Sequence, residues 1–220
     1  AWLYRIPVYT HESDTVPGLA NKIIARLSKV VFVGFKSSVE QFKSGKAITV
    51  GNPVRAELLN GDHSAALQSF TLSPERKTIF VMGGSQGAQE INNIILESVV
   101  ELVAQYNVIH QCGQSQYKSV FTEIEKITKE GEGEYGSNLK QNYRLFPFLD
   151  AGQMALAYAA SDVIVSRAGS GSLFEIASLG KQGIVIPLAS AANNHQLANA
   201  IELAKFGGVM IEGINITPHI

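Results

Sequence analysis

Two glycine-rich turns carry the side chains and amides most able to do chemistry. The first is Val81-Met82-Gly83-Gly84-Ser85-Gln86-Gly87-Ala88, between an apolar strand pattern at Thr78 to Met82 and a helical pattern. The second is Ser166-Arg167-Ala168-Gly169-Ser170-Gly171-Ser172-Leu173-Phe174-Glu175, again at the end of a strand and the start of a helix, one that stops at Gly180. Small residues let backbone approach an anion, and the first amides of a helix point toward it with the positive end of the helix dipole. Each turn alone also suits plain packing. In an open parallel sheet both face the crevice beyond the carboxyl ends of the strands, so the two can converge on one diphosphate.

Glu175 has two readings. Ser172-x-x-Glu175 has the spacing of a capping box, in which the carboxylate returns to a backbone amide, and spacing alone favours that reading. The alternative is an acceptor for the two hydroxyls of a ribose. A third junction, Pro187 to Ala200, is crowded with small and amide side chains, among them Asn193, Asn194, Gln196 and Asn199. Amides donate and accept, which suits sugar hydroxyls, although Asn194 equally suits a helix N-cap. Arg55, in Asn52-Pro53-Val54-Arg55, is either a solvated surface cation or one that faces phosphate across a cleft.

Several chemistries are disfavoured. The turn at Gly83 lacks the G-x-G-x-x-G order, and the next strand ends in His110-Gln111-Cys112 without an acid, which argues against a nicotinamide enzyme. No P-loop pattern is present, His11-Glu12 is not followed by a zincin histidine, and no Asp-x-Asp pair offers a divalent metal site, so neither metal nor other cofactor is expected. A formal net charge of -1 provides no global field for nucleic acid. The one cysteine, Cys112, cannot form an intramolecular disulfide, which suits a reducing, cytoplasmic setting. No apolar run approaches the roughly 18 residues of a membrane span.

The elements that position these residues are strand-like runs at Ile6 to Thr10, Val30 to Phe35, Ala47 to Val50, Thr78 to Met82, Asn107 to Gln111, Tyr143 to Phe146, Asp162 to Ser166, Gly183 to Pro187 and Val209 to Ile211. Most are separated by helical patterns; Gln86 to Gln105 keeps Ile91, Ile94, Ile95, Val99, Leu102 and Val103 on one face. Such alternation predicts an α/β fold, a mainly parallel sheet with helices on both faces. The run Gly131 to Asn138 has loop composition, and Asn52-Pro53 marks an expected domain boundary. The abrupt opening on a strand pattern and the close at Thr217-Pro218-His219-Ile220 read as a fragment.

Taken together, these residues resemble the MurG family of peptidoglycan glycosyltransferases, the undecaprenyl-diphospho-muramoylpentapeptide β-N-acetylglucosaminyltransferases. The resemblance runs through His11-Glu12 with Val16 to Asn21, Gly51 to Arg55, Gly83 to Ala88, Ser166 through Glu175, and His195-Gln196 with Asn199-Ala200. It implies two Rossmann-like domains of GT-B type facing a cleft, with residues 1 to 53 the tail of the acceptor-binding domain and 54 to 220 most of the UDP-sugar donor domain. It also implies that Gly84, Ser85 and Gln86 hold the diphosphate together with Ser170, Gly171 and Ser172, that Arg55 belongs to the donor site and that Leu149 meets uracil through its backbone. Glu175 would then bind ribose, which moves the reading of that residue from cap to ligand, and Gln196 with Asn199 would read the sugar. Asp14 stands in His11-Glu12-Ser13-Asp14 where the family often has an amide, and is kept as a donor contact.

The implied reaction is an inverting transfer of N-acetylglucosamine from UDP-N-acetylglucosamine to an undecaprenyl-linked muramoyl-pentapeptide, the lipid I to lipid II step. It would take place at the cytoplasmic face of the bacterial membrane, which the acceptor half would touch. The family's usual candidate base, a histidine in a glycine-rich acceptor loop, would lie upstream of residue 1. A nucleotide-sugar 2-epimerase and the donor-binding subunit of a split transferase are the competing readings.

Overall fold

The computed structural model describes residues 2–42, 45–83, 88–131, 134–187, 195–207 and 209–211. Two parallel sheets account for its strands. A three-stranded sheet, β1-β2-β3, comprises β1 (Tyr9–Glu12), β2 (Val30–Val33) and β3 (Ala47–Thr49), with helix α1 (Leu19–Leu27) crossing between the first two. β1 begins three residues later than the apolar run predicts: Pro7 has no N–H to give a ladder, and pairing starts at Tyr9↔Val30. His11 and Glu12 are thereby the last strand residues rather than the loop beyond it.

The larger sheet has the order β6-β5-β4-β7-β8-β9, all neighbours parallel. Its strands are β4 (Thr78–Met82), β5 (Asn107–Gln111), β6 (Tyr143–Phe146), β7 (Val163–Arg167), β8 (Gln182–Ile186) and β9 (Val209–Ile211). Helices α3 (Gln89–Gln105), α4 (Tyr117–Glu130) and α5 (Glu134–Asn142) connect the first three strands, and α6 (Ala151–Ala160), α7 (Ser170–Ser178) and α8 (His195–Ala204) the rest. The chain builds outward from β4 to β6, then returns to place β7 on the other side of β4. This reversal is the topological switch point of a doubly wound sheet, where a crevice opens at the strand ends.

Cores lie on both faces of this sheet. Ile91, Ile95, Val99 and Val103 of α3 pack with Val81 and Val108 on one side. Phe80, Met82, Ile109, Ile164 and Tyr158 pack on the other with Leu58, Leu67 and Phe70. The last three come from the connection after Pro53, from α2 (His63–Ser69) and from Phe70 at its C-cap, so the chain from Val54 onward shares the core of the large sheet.

Residues 134–142 form α5, so 134–138 are helical where the composition of Gly131 to Asn138 predicts loop. Gly136 is a packing glycine: a Cβ there would lie 2.6 Å from Gly131 O and 2.9 Å from Thr128 O, so only glycine lets α5 fold back on the end of α4. Leu139 is buried, and Asn142 Nδ2 donates to Val103 O at 3.0 Å.

One polar network crosses the core. His110 Nδ1 meets Tyr143 Oη at 2.7 Å and Nε2 meets Asn92 Oδ1 at 3.0 Å, while Asn92 Nδ2 donates to Cys112 O. Asn92 Oδ1 can only accept, so the neutral imidazole carries its proton on Nε2 and its Nδ1 accepts from the Tyr143 hydroxyl, whose pKa burial raises well above the usual phenol value. Burial also pushes the His110 pKa from 6.5 down to about 3. The folded chain therefore refuses a proton that the unfolded chain accepts below pH 6.5, and stability from this group is lost as pH falls from 6.5 toward 3. Urea unfolding at pH 7 and pH 5 should show wild type losing about 2 kcal/mol more than His110→Gln over that interval; equal losses would remove His110 from the acid response.

Candidate functional site

The carboxyl ends of β4, β7 and β8 lie at one end of the large sheet, and those of β4 and β7 flank the switch point. Register Met82↔Ser166 sets the carboxyl ends of β4 and β7 side by side. Gly84, Ser85, Gln86 and Gly87 lie outside the described residues, as do Leu188 to Asn194, so the phosphate-cradle and Asn194 N-cap expectations fall there. The second turn is described. α7 begins at Ser170 with Gly169 as N-cap, which has no side chain to cap the first-turn amides of Ser170, Gly171 and Ser172. Among the described residues outside the helix's own backbone, a Cβ built on Gly169 or Gly171 would meet nothing within 4 Å, so no side chain crowds the start of α7 at these two positions.

The capping-box reading of Glu175 is corrected by this geometry. The helix starts two residues before Ser172, so Ser172 is helical and cannot be an N-cap, and Glu175 sits in the second turn facing sideways. Its carboxylate takes partners from distant chain. Oε1 accepts from Arg55 Nη2 at 3.0 Å and Nε at 3.3 Å, and Oε2 accepts from the Tyr158 hydroxyl at 2.7 Å. The Arg55 side chain is 44% exposed against 17% for Glu175, so this ion pair adds at most about 1 kcal/mol and yields readily to a competing ligand.

Phe174, the preceding residue, reaches the small sheet. Its ring meets Phe35 edge-on at 5.0 Å between centroids, and a Cβ at Gly51 would lie 3.6 Å from it. Gly51 has φ +78°, a left-handed turn that also brings its carbonyl to His11 Nε2 at 3.0 Å. Consecutive residues of α7 thus anchor the small sheet and offer the carboxylate.

On the β8 side, Asp14 and Asn199 are brought together, but onto one another. Asn199 is fully buried; its Oδ1 accepts from Thr15 N at 2.7 Å and Thr15 Oγ1 at 2.6 Å, and its Nδ2 donates to Asp14 Oδ1 at 2.7 Å. Both ends of the amide are occupied as a clasp between α8 and the small sheet. The loop that carries Asp14 is folded around buried Glu12, whose carboxylate accepts from Asp14 N, Gly18 N and Asn21 Nδ2. Gln196, one turn before Asn199, is half-buried.

Leu149 lies in the loop between β6 and α6, at the same end of the sheet. Its N–H donates to Gln111 Oε1 at 3.2 Å, so a base reading that amide has to displace Gln111. Asp150 and Gln153 then form a capping box that starts α6. Tyr158, Phe174 and Gln111 were not singled out from the sequence. The signal available for Tyr158 was a phenol set among alanines in a buried helix, a ring whose hydroxyl needs a partner.

Two facing parallel sheets, the larger doubly wound with its switch point at β4 and β7, define the two-domain GT-B class of glycosyltransferase fold. The chain belongs to glycosyltransferase family 28, whose C-terminal domain matches residues 78–219. It is 36% identical over 207 residues to UDP-N-acetylglucosamine–N-acetylmuramyl-(pentapeptide) pyrophosphoryl-undecaprenol N-acetylglucosamine transferase 2 of Bacillus anthracis, covering 94% of this chain and 54% of the relative. The corresponding transferase of Thermodesulfovibrio yellowstonii is 34% identical over 210 residues, with the same coverage of 94% and 54%. The crystal structure of Acinetobacter baumannii MurG superposes with TM-score 0.71 at 28% identity, over 98% of this chain and 56% of that one. The resemblance to the MurG family holds, and the chain spans about half the length of the curated relatives it matches. UDP-GlcNAc 2-epimerase from Neisseria meningitidis superposes with TM-score 0.62 over 97% of this chain and 59% of that one, but at 20% identity it shares the fold alone.

Proposed function

We propose that this chain carries the donor half of an inverting transferase that moves N-acetylglucosamine from UDP-N-acetylglucosamine to an undecaprenyl-linked muramoyl-pentapeptide. The observation that carries this reading is Glu175, an acid reached through a removable arginine beside uncapped helix amides at the switch point of the sheet. In this reading the first-turn amides of α7 face the diphosphate, Glu175 accepts the ribose hydroxyls, and Gly84 to Gln86 complete the cradle. Arg55, displaced from Glu175, is placed to turn its guanidinium toward phosphate. Uracil lies near the Leu149 loop and the sugar near Gln196.

As the acceptor hydroxyl attacks the anomeric carbon, charge grows on the departing UDP. Fixed amides of α7 stabilise it without reorganising, the largest contribution this chain makes to the step. The hydroxyl proton passes to a base near neutral pKa, assigned to the acceptor domain.

Residues 1–53 are read as part of that acceptor domain and 54–220 as the donor domain. Supporting this, the two sheets are separate, and α1 leaves Leu19, Ile23 and Leu27 exposed, as a helix within a larger layer would. Among the described residues no helix is long and apolar enough to cross a membrane. The place of action is read as the cytoplasmic membrane face, where the lipid-linked acceptor named for the relatives would be met.

Calorimetric titration with UDP-N-acetylglucosamine, UDP-glucose and NAD, in the presence of a chelator, tests the donor assignment. Binding of the first in preference to the other two is expected. Binding of NAD with no response to either UDP-sugar would overturn it.

A further inference from the structure

The Glu175 carboxylate is held asymmetrically. Oε1 faces Arg55, nearly half exposed and easily moved, whereas Oε2 faces a phenol that is wholly buried. The Tyr158 hydroxyl has one proton and two neighbours, Glu175 Oε2 at 2.7 Å and Met82 Sδ at 3.4 Å. The shorter, charge-assisted bond to the carboxylate takes the proton, and the thioether fills the remaining side. Burial, reinforced by the neighbouring Glu175 carboxylate, keeps that proton on the phenol far above its usual pKa, so Tyr158 is a donor at every working pH. The ring cannot turn away, because it is wedged edge-on against Phe80 at 5.5 Å between centroids.

We propose that Tyr158 is a positioning residue of the nucleotide site: its buried hydroxyl pins Oε2 of Glu175, so that Oε1 alone is presented at the mouth, where a ribose hydroxyl replaces Arg55. This rests on the reading of Glu175 as the ribose acceptor. Without the phenol the carboxylate can rotate about its last bond, share both oxygens with Arg55 and lose its aim. A positioning role of this kind adds nothing to the ligand's own contacts but sets how much each is worth.

Calorimetric titration with UDP and with 2′-deoxy-UDP separates the possibilities, using wild type, Tyr158→Phe, Glu175→Ala and the double variant. Phe keeps the packing on Phe80, and thermal unfolding of each variant identifies folded protein first. Wild type is expected to prefer UDP by about tenfold or more, the scale of one hydrogen bond to a charged group. Tyr158→Phe should bind UDP about tenfold more weakly and bring the preference near unity, with 2′-deoxy-UDP little changed. The double variant should bind UDP no more weakly than Glu175→Ala, because Tyr158 acts only through that carboxylate. A Tyr158→Phe chain that keeps the full preference, or a double variant with additive losses, overturns the positioning role. A folded wild type with equal affinity for the two nucleotides overturns the ribose reading itself, and the proposal with it.

Discussion

Glu175→Ala should lower UDP affinity by about tenfold to a hundredfold while leaving a folded chain. The range follows from removing the acceptor of one or two hydrogen bonds to a charged group, each worth about 1.5–3 kcal/mol. The cost to the fold is smaller. Arg55 is exposed enough to be solvated when its partner goes, and the Tyr158 hydroxyl keeps only a thioether within reach, so about 1–2 kcal/mol of stability is lost. Chemical denaturation and UDP titration on the same preparation check both halves. Unchanged affinity in a folded variant would leave Glu175 as a purely structural partner of Arg55 and Tyr158.

Asn199→Ala should unclasp the two sheets. Truncation strips the acceptor from Thr15 N and Oγ1 and the donor from Asp14 Oδ1, all at 2.7 Å or less and around a fully buried amide. Leaving a buried amide and hydroxyl and a half-buried carboxylate short of partners costs about 2–4 kcal/mol and should speed proteolysis of the connection at Val50 to Arg55. Ligand titration distinguishes this clasp from the sugar-reading role expected from sequence. A clasp weakens UDP and UDP-N-acetylglucosamine binding alike, whereas loss confined to the sugar nucleotide would return Asn199 to the sugar.

These two residues also mark how far the sequence could be read. β4, β5 and β6 begin and end where expected, because each is a short apolar run closed by turn residues or followed by a clear helix. β1 starts late on account of Pro7, and α5 was missed because Gly136 resembles a loop residue until the end of α4 is seen beside it. For Glu175, local spacing favoured a cap, while its observed partners lie 17 and 120 residues away and no local pattern reveals them. Asn199 was legible as an amide in a polar helix start, but its occupation by Thr15 and Asp14 depends on how the two sheets face each other. The switch point itself follows from strand order, which alternation alone leaves open.

A crystal structure of the chain with UDP-N-acetylglucosamine bound addresses the central claim most directly. The account predicts the diphosphate over the first turn of α7, the ribose on Glu175 Oε1 in place of Arg55, and Tyr158 still bonded to Oε2. A nucleotide seated instead in the basic cavity of about 400 Å³ lined by Lys22, Arg26 and Lys46, with the Arg55–Glu175 pair intact, would contradict it.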